Sequence, residues 1–95
     1  MIVEFTGDVL HWRGPSPYYF VRVPDDDGAE LRSMASVLTY GWGVIPVAVR
    51  IGDTEWTTSL FPKDGTYLVP LKDIVRRAEA LEVGETVTVR LTLGA

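Results

Sequence analysis

Thr86-Val87-Thr88-Val89-Arg90-Leu91-Thr92-Leu93 alternates without a break, with valine or leucine at 87, 89, 91 and 93 and threonine or arginine between them. A period of two held over that length is the pattern of a strand with one face in a core and the other in water. Ile45-Pro46-Val47-Ala48-Val49-Arg50-Ile51 repeats it with Val47, Val49 and Ile51, and Gly52-Asp53 supplies a turn into Glu55-Trp56-Thr57-Thr58-Ser59-Leu60-Phe61. Those two runs read as a hairpin. Ile2 to Trp12 and Tyr18 to Val23 read as two more strands, joined by the turn-forming Arg13-Gly14-Pro15-Ser16-Pro17, with Gly7 marking a bulge in the first.

Two short helices interrupt the β pattern. After Pro24, Asp25, Asp26 and Asp27 place negative charge where a helix N-terminus attracts it, and Asp27 with Glu30 has the spacing of a capping box. Leu31, Met34, Ala35 and Leu38 then follow at i, i+3, i+4, i+7, and Leu71, Ile74, Val75 and Ala78 repeat that spacing after Pro70. Each helix is therefore expected to turn one apolar face to the core. Gly41 and Gly43 end the first helical region and Gly84 the second.

The chain has 95 residues, no cysteine, one histidine, and nine Lys and Arg against 13 Asp and Glu, for a net charge of −4. That length holds one core, so residues 1–95 are read as a single domain. Without cysteine there is no disulfide, thiolate nucleophile or Cys-based zinc site, and one imidazole cannot build a His-rich metal centre; no metal or other cofactor is expected. The composition fits a reducing cytoplasm, and no apolar run approaches the ~20 residues of a membrane helix. A phosphate backbone calls for an excess of basic residues that this chain lacks, so nucleic acid is not the default partner.

The halves repeat one another. Tyr19 to Pro24 is a strand ending Val-Pro, followed by a helix with Leu31-Arg32, then Gly43 and a strand ending Val49-Arg50-Ile51. Tyr67-Leu68-Val69-Pro70 leads to a helix with Val75-Arg76, then Gly84 and Val87-Thr88-Val89-Arg90-Leu91. This predicts pseudo-repeats over about 5–51 and 55–93, with Pro24 and Pro70 at equivalent helix starts, closing a barrel about a pseudo-twofold axis. The alternative is that shared turn grammar produces the likeness by chance.

Gly65-Thr66-Tyr67-Leu68-Val69-Pro70, Val75-Arg76, Leu81 and Gly84-Glu85-Thr86-Val87-Thr88-Val89 resemble the swapped-hairpin element of AbrB and MazE-type proteins. In that group two short chains make one double-split barrel, which implies that here one chain supplies both halves. From Phe5 to Leu93 the chain is also similar to a small bacterial domain family of unknown function that occurs alone or beside a YdeI/OmpD-associated domain. The residues that carry this likeness are Tyr18 to Pro24, Ile45 to Val49, Thr58-Ser59-Leu60-Phe61-Pro62-Lys63, Tyr67 to Pro70, and Val75-Arg76-Arg77 through Gly84 to Val87. The resemblance implies the fold and, as a partner, a YdeI-like protein; it transfers no activity.

Candidate chemistry is sparse. His11 has Asp8 as its nearest acid in sequence, and that residue sits on the opposite strand face, so a structural or surface role is expected. Ser59 lacks the Gly-x-Ser-x-Gly elbow that projects a nucleophile. Asp25 to Asp27 lack the alternating donors and bidentate Glu of a calcium loop, and Gly41-Trp42-Gly43 leads into a strand, not into the helix that a phosphate cradle needs.

The surplus lies in aromatics and arginines. Trp12, Tyr18, Tyr19, Tyr40 and Trp42 gather at strand ends and in loops, where amphipathic rings line a ligand or partner site or close the ends of a barrel. Arg76, Arg77 and Lys63, with Arg22, Arg50 and Lys72, would bind an anion if they share a face, or pair with the many acids if they do not. The fold predicted is mainly β, a small double-split β-barrel of about six or seven strands from two pseudo-repeats with two short α-helices. The function predicted is a non-catalytic module, monomer or homodimer, holding a small acidic ligand or a protein partner through Trp12, Tyr18, Trp42, Lys63, Arg76 and Arg77. Its alternatives are an AbrB/MazE-like DNA-binding regulator or antitoxin, which needs a continuous positive face, and a hydrolase or isomerase, which needs His11 to meet an acid and a hydroxyl in one cleft.

Overall fold

A computed structural model of the protein describes residues 1–14, 18–35 and 43–94. In chain order its elements are β1 (Ile2–Trp12), β2 (Tyr18–Arg22), α1 (Asp25–Ser33), β3 (Ile45–Ile51), β4 (Thr54–Lys63), β5 (Thr66–Leu71), α2 (Asp73–Ala78) and β6 (Thr86–Thr92). The strands close into an antiparallel barrel in the order β1-β2-β5-β4-β3-β6, and β6 pairs back onto β1. The expected mainly β barrel with two short helices is what forms. No helix among the described residues is long and apolar enough to cross a membrane.

The alternation read from β6 holds: Val89, Leu91 and Leu93 are buried in the barrel, and Val87 packs against the core from its edge. Opposite them stand Val3, Phe5 and Val9 of β1, Val47, Val49 and Ile51 of β3, and Val69 and Leu71 of β5. Short β-branched side chains dominate the interior, as a barrel of this small radius requires. The β3–β4 hairpin turns at Gly52-Asp53 as expected.

β1 serves two neighbours in succession. Ile2 to Asp8 pair with β6, and Val9 to Trp12 pair with β2. Gly7 stands where the strand changes partner, but its pairing with Val87 is in unbroken register, so there is no bulge there. The reason for glycine is close approach: a Cβ at this position would lie 2.7 Å from Val21 Cγ1 and 3.2 Å from the Arg22 carbonyl oxygen.

Strand, strand, helix, strand occurs twice along the chain, and each β-β-α-β unit supplies one strand to both the β2–β5 and the β3–β6 contacts. The Val-Pro equivalence is nevertheless wrong. Pro70 lies inside β5, opposite Phe20, and the residue that leads into α2 is Lys72. Pro24 before α1 and Lys72 before α2 share a backbone conformation, φ −56°, ψ 151° and φ −74°, ψ 150°. A Pro tolerated next to the end of a strand looks in sequence like a Pro at a helix start.

The helices also depart from their predicted faces. In α1, Leu31 and Gly28 are buried, whereas Met34, just past its end, is exposed; Leu38 lies outside the described residues. In α2, Val75 alone is buried, Ile74 is 72% exposed and Ala78 is exposed, while Leu71 belongs to β5. The capping box does not form either: the residue before α1 is Pro24, and all three aspartates lie in the first turn, where they face the helix dipole without capping through Asp27.

α2 is closed by Ala80, four residues before Gly84. Ala80 adopts φ 51°, its N–H donates to the Arg77 carbonyl at 3.4 Å, and the Leu81 N–H donates to the Arg76 carbonyl at 2.9 Å. That pair of bonds is a Schellman closure, whose left-handed position normally holds glycine. Ala80→Gly should therefore raise stability by about 0.5–1 kcal/mol, a few degrees in melting temperature. A thermal melt unchanged or lowered by this substitution would contradict the left-handed closure.

Candidate functional site

The far end of the β1–β2 hairpin sorts its side chains by strand parity. His11 faces Tyr19, and Trp12 faces Tyr18. His11 and Tyr19 share the side of Val9 and Val21, which are fully buried, so they finish the core at that end. Leu10, Trp12, Tyr18 and Phe20 fall on the other face by parity; Trp12 is 45% and Tyr18 42% exposed, whereas Phe20 is buried. Tyr18 leans on Phe20 with ring centres 5.6 Å apart.

Lys63, at the end of β4, brings its ammonium to 5.4 Å from the centre of the Trp12 ring, a cation–π distance. Three of the side chains singled out from the sequence thus lie close together: Trp12 and Tyr18 at paired positions of β1 and β2, and Lys63 over the indole.

Arg76 goes elsewhere. Its guanidinium carbon lies 3.2 Å from the centre of the Tyr19 ring, and that ring also stacks on His11 at 4.5 Å with 25° between planes. Nη1 of Arg76 reaches Asp73 Oδ1 at 3.4 Å, and its Nε is buried without an acceptor. Arg76 lies between an aromatic ring and an acid and ties α2 to the hairpin. Arg77 donates through Nε to the Asp73 carbonyl at 3.4 Å on the exposed side of the helix. The expected single face gathering Lys63, Arg76 and Arg77 is therefore not the arrangement found, and Trp42 lies outside the described residues.

The remaining candidates are accounted for locally. Asp8 accepts from the Thr86 hydroxyl at 2.7 Å and so turns away from His11. Arg22 pairs with Asp25 at 2.7 Å and Arg90 with Glu4 at 3.2 Å. Among the described residues no three His, Asp or Glu side chains gather as metal ligands.

Sequence reasoning passed over a second place. Glu4, Arg50, Gly52, Thr88 and Arg90 line an open groove of about 470 Å³ on the outer face of β1, β6 and β3. Its signal was present: Val49-Arg50-Ile51 and Val89-Arg90-Leu91 correspond in the two predicted halves, and β3 and β6 pair with Arg50 opposite Arg90.

The chain belongs to a family described as a domain of unknown function (DUF1905), whose model matches residues 5–91. No curated protein matches the chain.

Proposed function

We propose that this domain, whose family carries no assigned activity, is a non-catalytic binding module, and that the outer end of the β1–β2 hairpin is its contact surface for a protein partner. The observation that supports the reading is the exposure, side by side, of Trp12 and Tyr18 with the Lys63 ammonium over the indole. Leaving a tryptophan and a tyrosine half in water forgoes burial that each would otherwise contribute, and such rings are the residues most enriched at interfaces. The rings lie on the outer face of a sheet and so suit a flat partner surface. Lys63 adds a preference for an acidic group beside the aromatic contact. A YdeI-like protein, suggested by the sequence resemblance, is the first partner to try.

The test compares wild type, Trp12→Ala and Tyr18→Ala in pull-down and calorimetry with a purified YdeI-like protein, alongside a thermal-shift screen against small acids. Truncating a central aromatic typically costs 2 kcal/mol or more, so binding should weaken about 30-fold in either variant with the fold intact. Lys63→Gln should weaken binding less and reduce its dependence on salt. A partner that binds Trp12→Ala and Tyr18→Ala as tightly as wild type removes this surface from the proposal.

A further inference from the structure

The groove across the β3–β6 seam lies apart from the aromatic surface and does not depend on it. Pairing places Arg50 of β3 directly opposite Arg90 of β6 on the outer face, and both side chains are exposed. Two like charges in that position repel, so neither would be selected for the pair's own stability. Each guanidinium is held by its Nε: Arg90 donates to Glu4 Oε2 at 3.2 Å, and Arg50 to the Gly52 carbonyl at 3.1 Å. Anchoring through Nε leaves the two-nitrogen ends of both forks without a partner among the described residues. Thr88, two residues from Arg90 and on the same face, adds a hydroxyl to the groove wall.

The flanks set the size of what fits. β1 brings Glu4 opposite Arg90, and β4 brings Glu55 opposite Arg50, so one row across four strands reads Glu4, Arg90, Arg50, Glu55. Glu4 lines the groove but is engaged with Arg90 Nε, and Glu55 does not line it, so a compact anion between the two free fork ends lies nearest the arginines. An extended polyanion would meet a carboxylate at either end. We propose that Arg50 and Arg90 form a site for a compact, doubly charged oxyanion of the phosphate class, bridged by the free ends of the two guanidinium forks.

The test is a titration of the labelled protein, at low and fixed ionic strength, with inorganic phosphate and separately with ribose 5-phosphate, following backbone amide resonances. Saturable shifts are expected at Arg50, Gly52, Thr88 and Arg90. Arg50→Gln and Arg90→Gln should each weaken binding at least tenfold. Glu55→Gln should tighten it about threefold by removing a flanking charge, and Arg32→Gln should leave it unchanged. Both arginines are exposed, so the variants should melt like wild type. Tighter binding of ribose 5-phosphate identifies a phosphate monoester as the ligand; equal binding of the two identifies phosphate itself, and either supports the site. Shifts that fail to saturate, or that persist in Arg50→Gln, would overturn it.

Discussion

Leu91→Ala should lower the melting temperature by roughly 15–40 °C, among the largest effects expected of a single truncation in this domain. Leu91 is fully buried in β6, opposite Val3 of β1 on one side and Val49 of β3 on the other, and both of those are core residues. Removing a buried leucine side chain costs about 2–5 kcal/mol, the spread reflecting how far the surroundings can collapse. Collapse is hindered here. β1 is held to β6 along its first part and to β2 along its last, and β3 is held to β4 over its whole length, so neither neighbour can move in without breaking register elsewhere. The cavity also opens at the middle of the short β3–β6 contact, one of the four strand pairings that join the two β-β-α-β units. The loss should therefore sit high in that range, and at about 4–8 °C per kcal/mol for a chain of this size it is read directly from a thermal melt. Ile74→Ala removes more aliphatic carbon than many core changes, yet it should stay within about 0.5 kcal/mol because Ile74 is 72% exposed on α2. If the two variants melt alike, the assignment of inside and outside is wrong.

That contrast also separates what the sequence discloses from what it hides. β6 could be read from its own residues because eight alternating positions determine a period. α2 could not: six residues make fewer than two turns, and the apparent i, i+3, i+4 pattern was assembled from Leu71, which belongs to β5, and Ile74, which faces water. The β4–β5 hairpin left a clear local mark that the sequence reading did not use, since Asp64-Gly65 between Lys63 and Thr66 is a two-residue turn with φ 50° and 82°. For the candidate surface, the residue types were visible but their meetings were not. Trp12 and Lys63 are 51 positions apart, and nothing local says that the ammonium lies over the indole while Arg76 is taken by Tyr19. Arg50 and Arg90 occupy corresponding places in the two predicted halves, yet only the strand register makes them neighbours.

Gly28→Ala reverses the usual sign of a helix substitution. Replacing glycine inside a helix by alanine normally gains up to about 1 kcal/mol. Gly28 is buried in the first turns of α1 against β5, and a Cβ there would run into Thr66 Oγ1 and come within 2.7 Å of its Cβ and 3.0 Å of its Cα. The last of these is backbone in the barrel wall, so the helix, and not a side-chain rotamer, has to yield. Thr66 is only 1% exposed, and its hydroxyl donates to the Val23 carbonyl at 2.9 Å, just ahead of α1. Pushing the helix outward strains or breaks that buried bond and opens the contact under Leu31. Overpacking at about 1–3 kcal/mol, together with a buried polar group left unpaired at about 1–3 kcal/mol, outweighs the gain in propensity, for a net loss of roughly 2–4 kcal/mol. Thr66→Ala removes the hydroxyl that the new methyl meets first. The double variant Gly28→Ala/Thr66→Ala should then be less destabilised than the sum of the two single ones, a coupling measurable by denaturant unfolding. Additive losses would mean that α1 does not rest on Thr66, and a gain for Gly28→Ala alone would mean that it does not touch β5 at all.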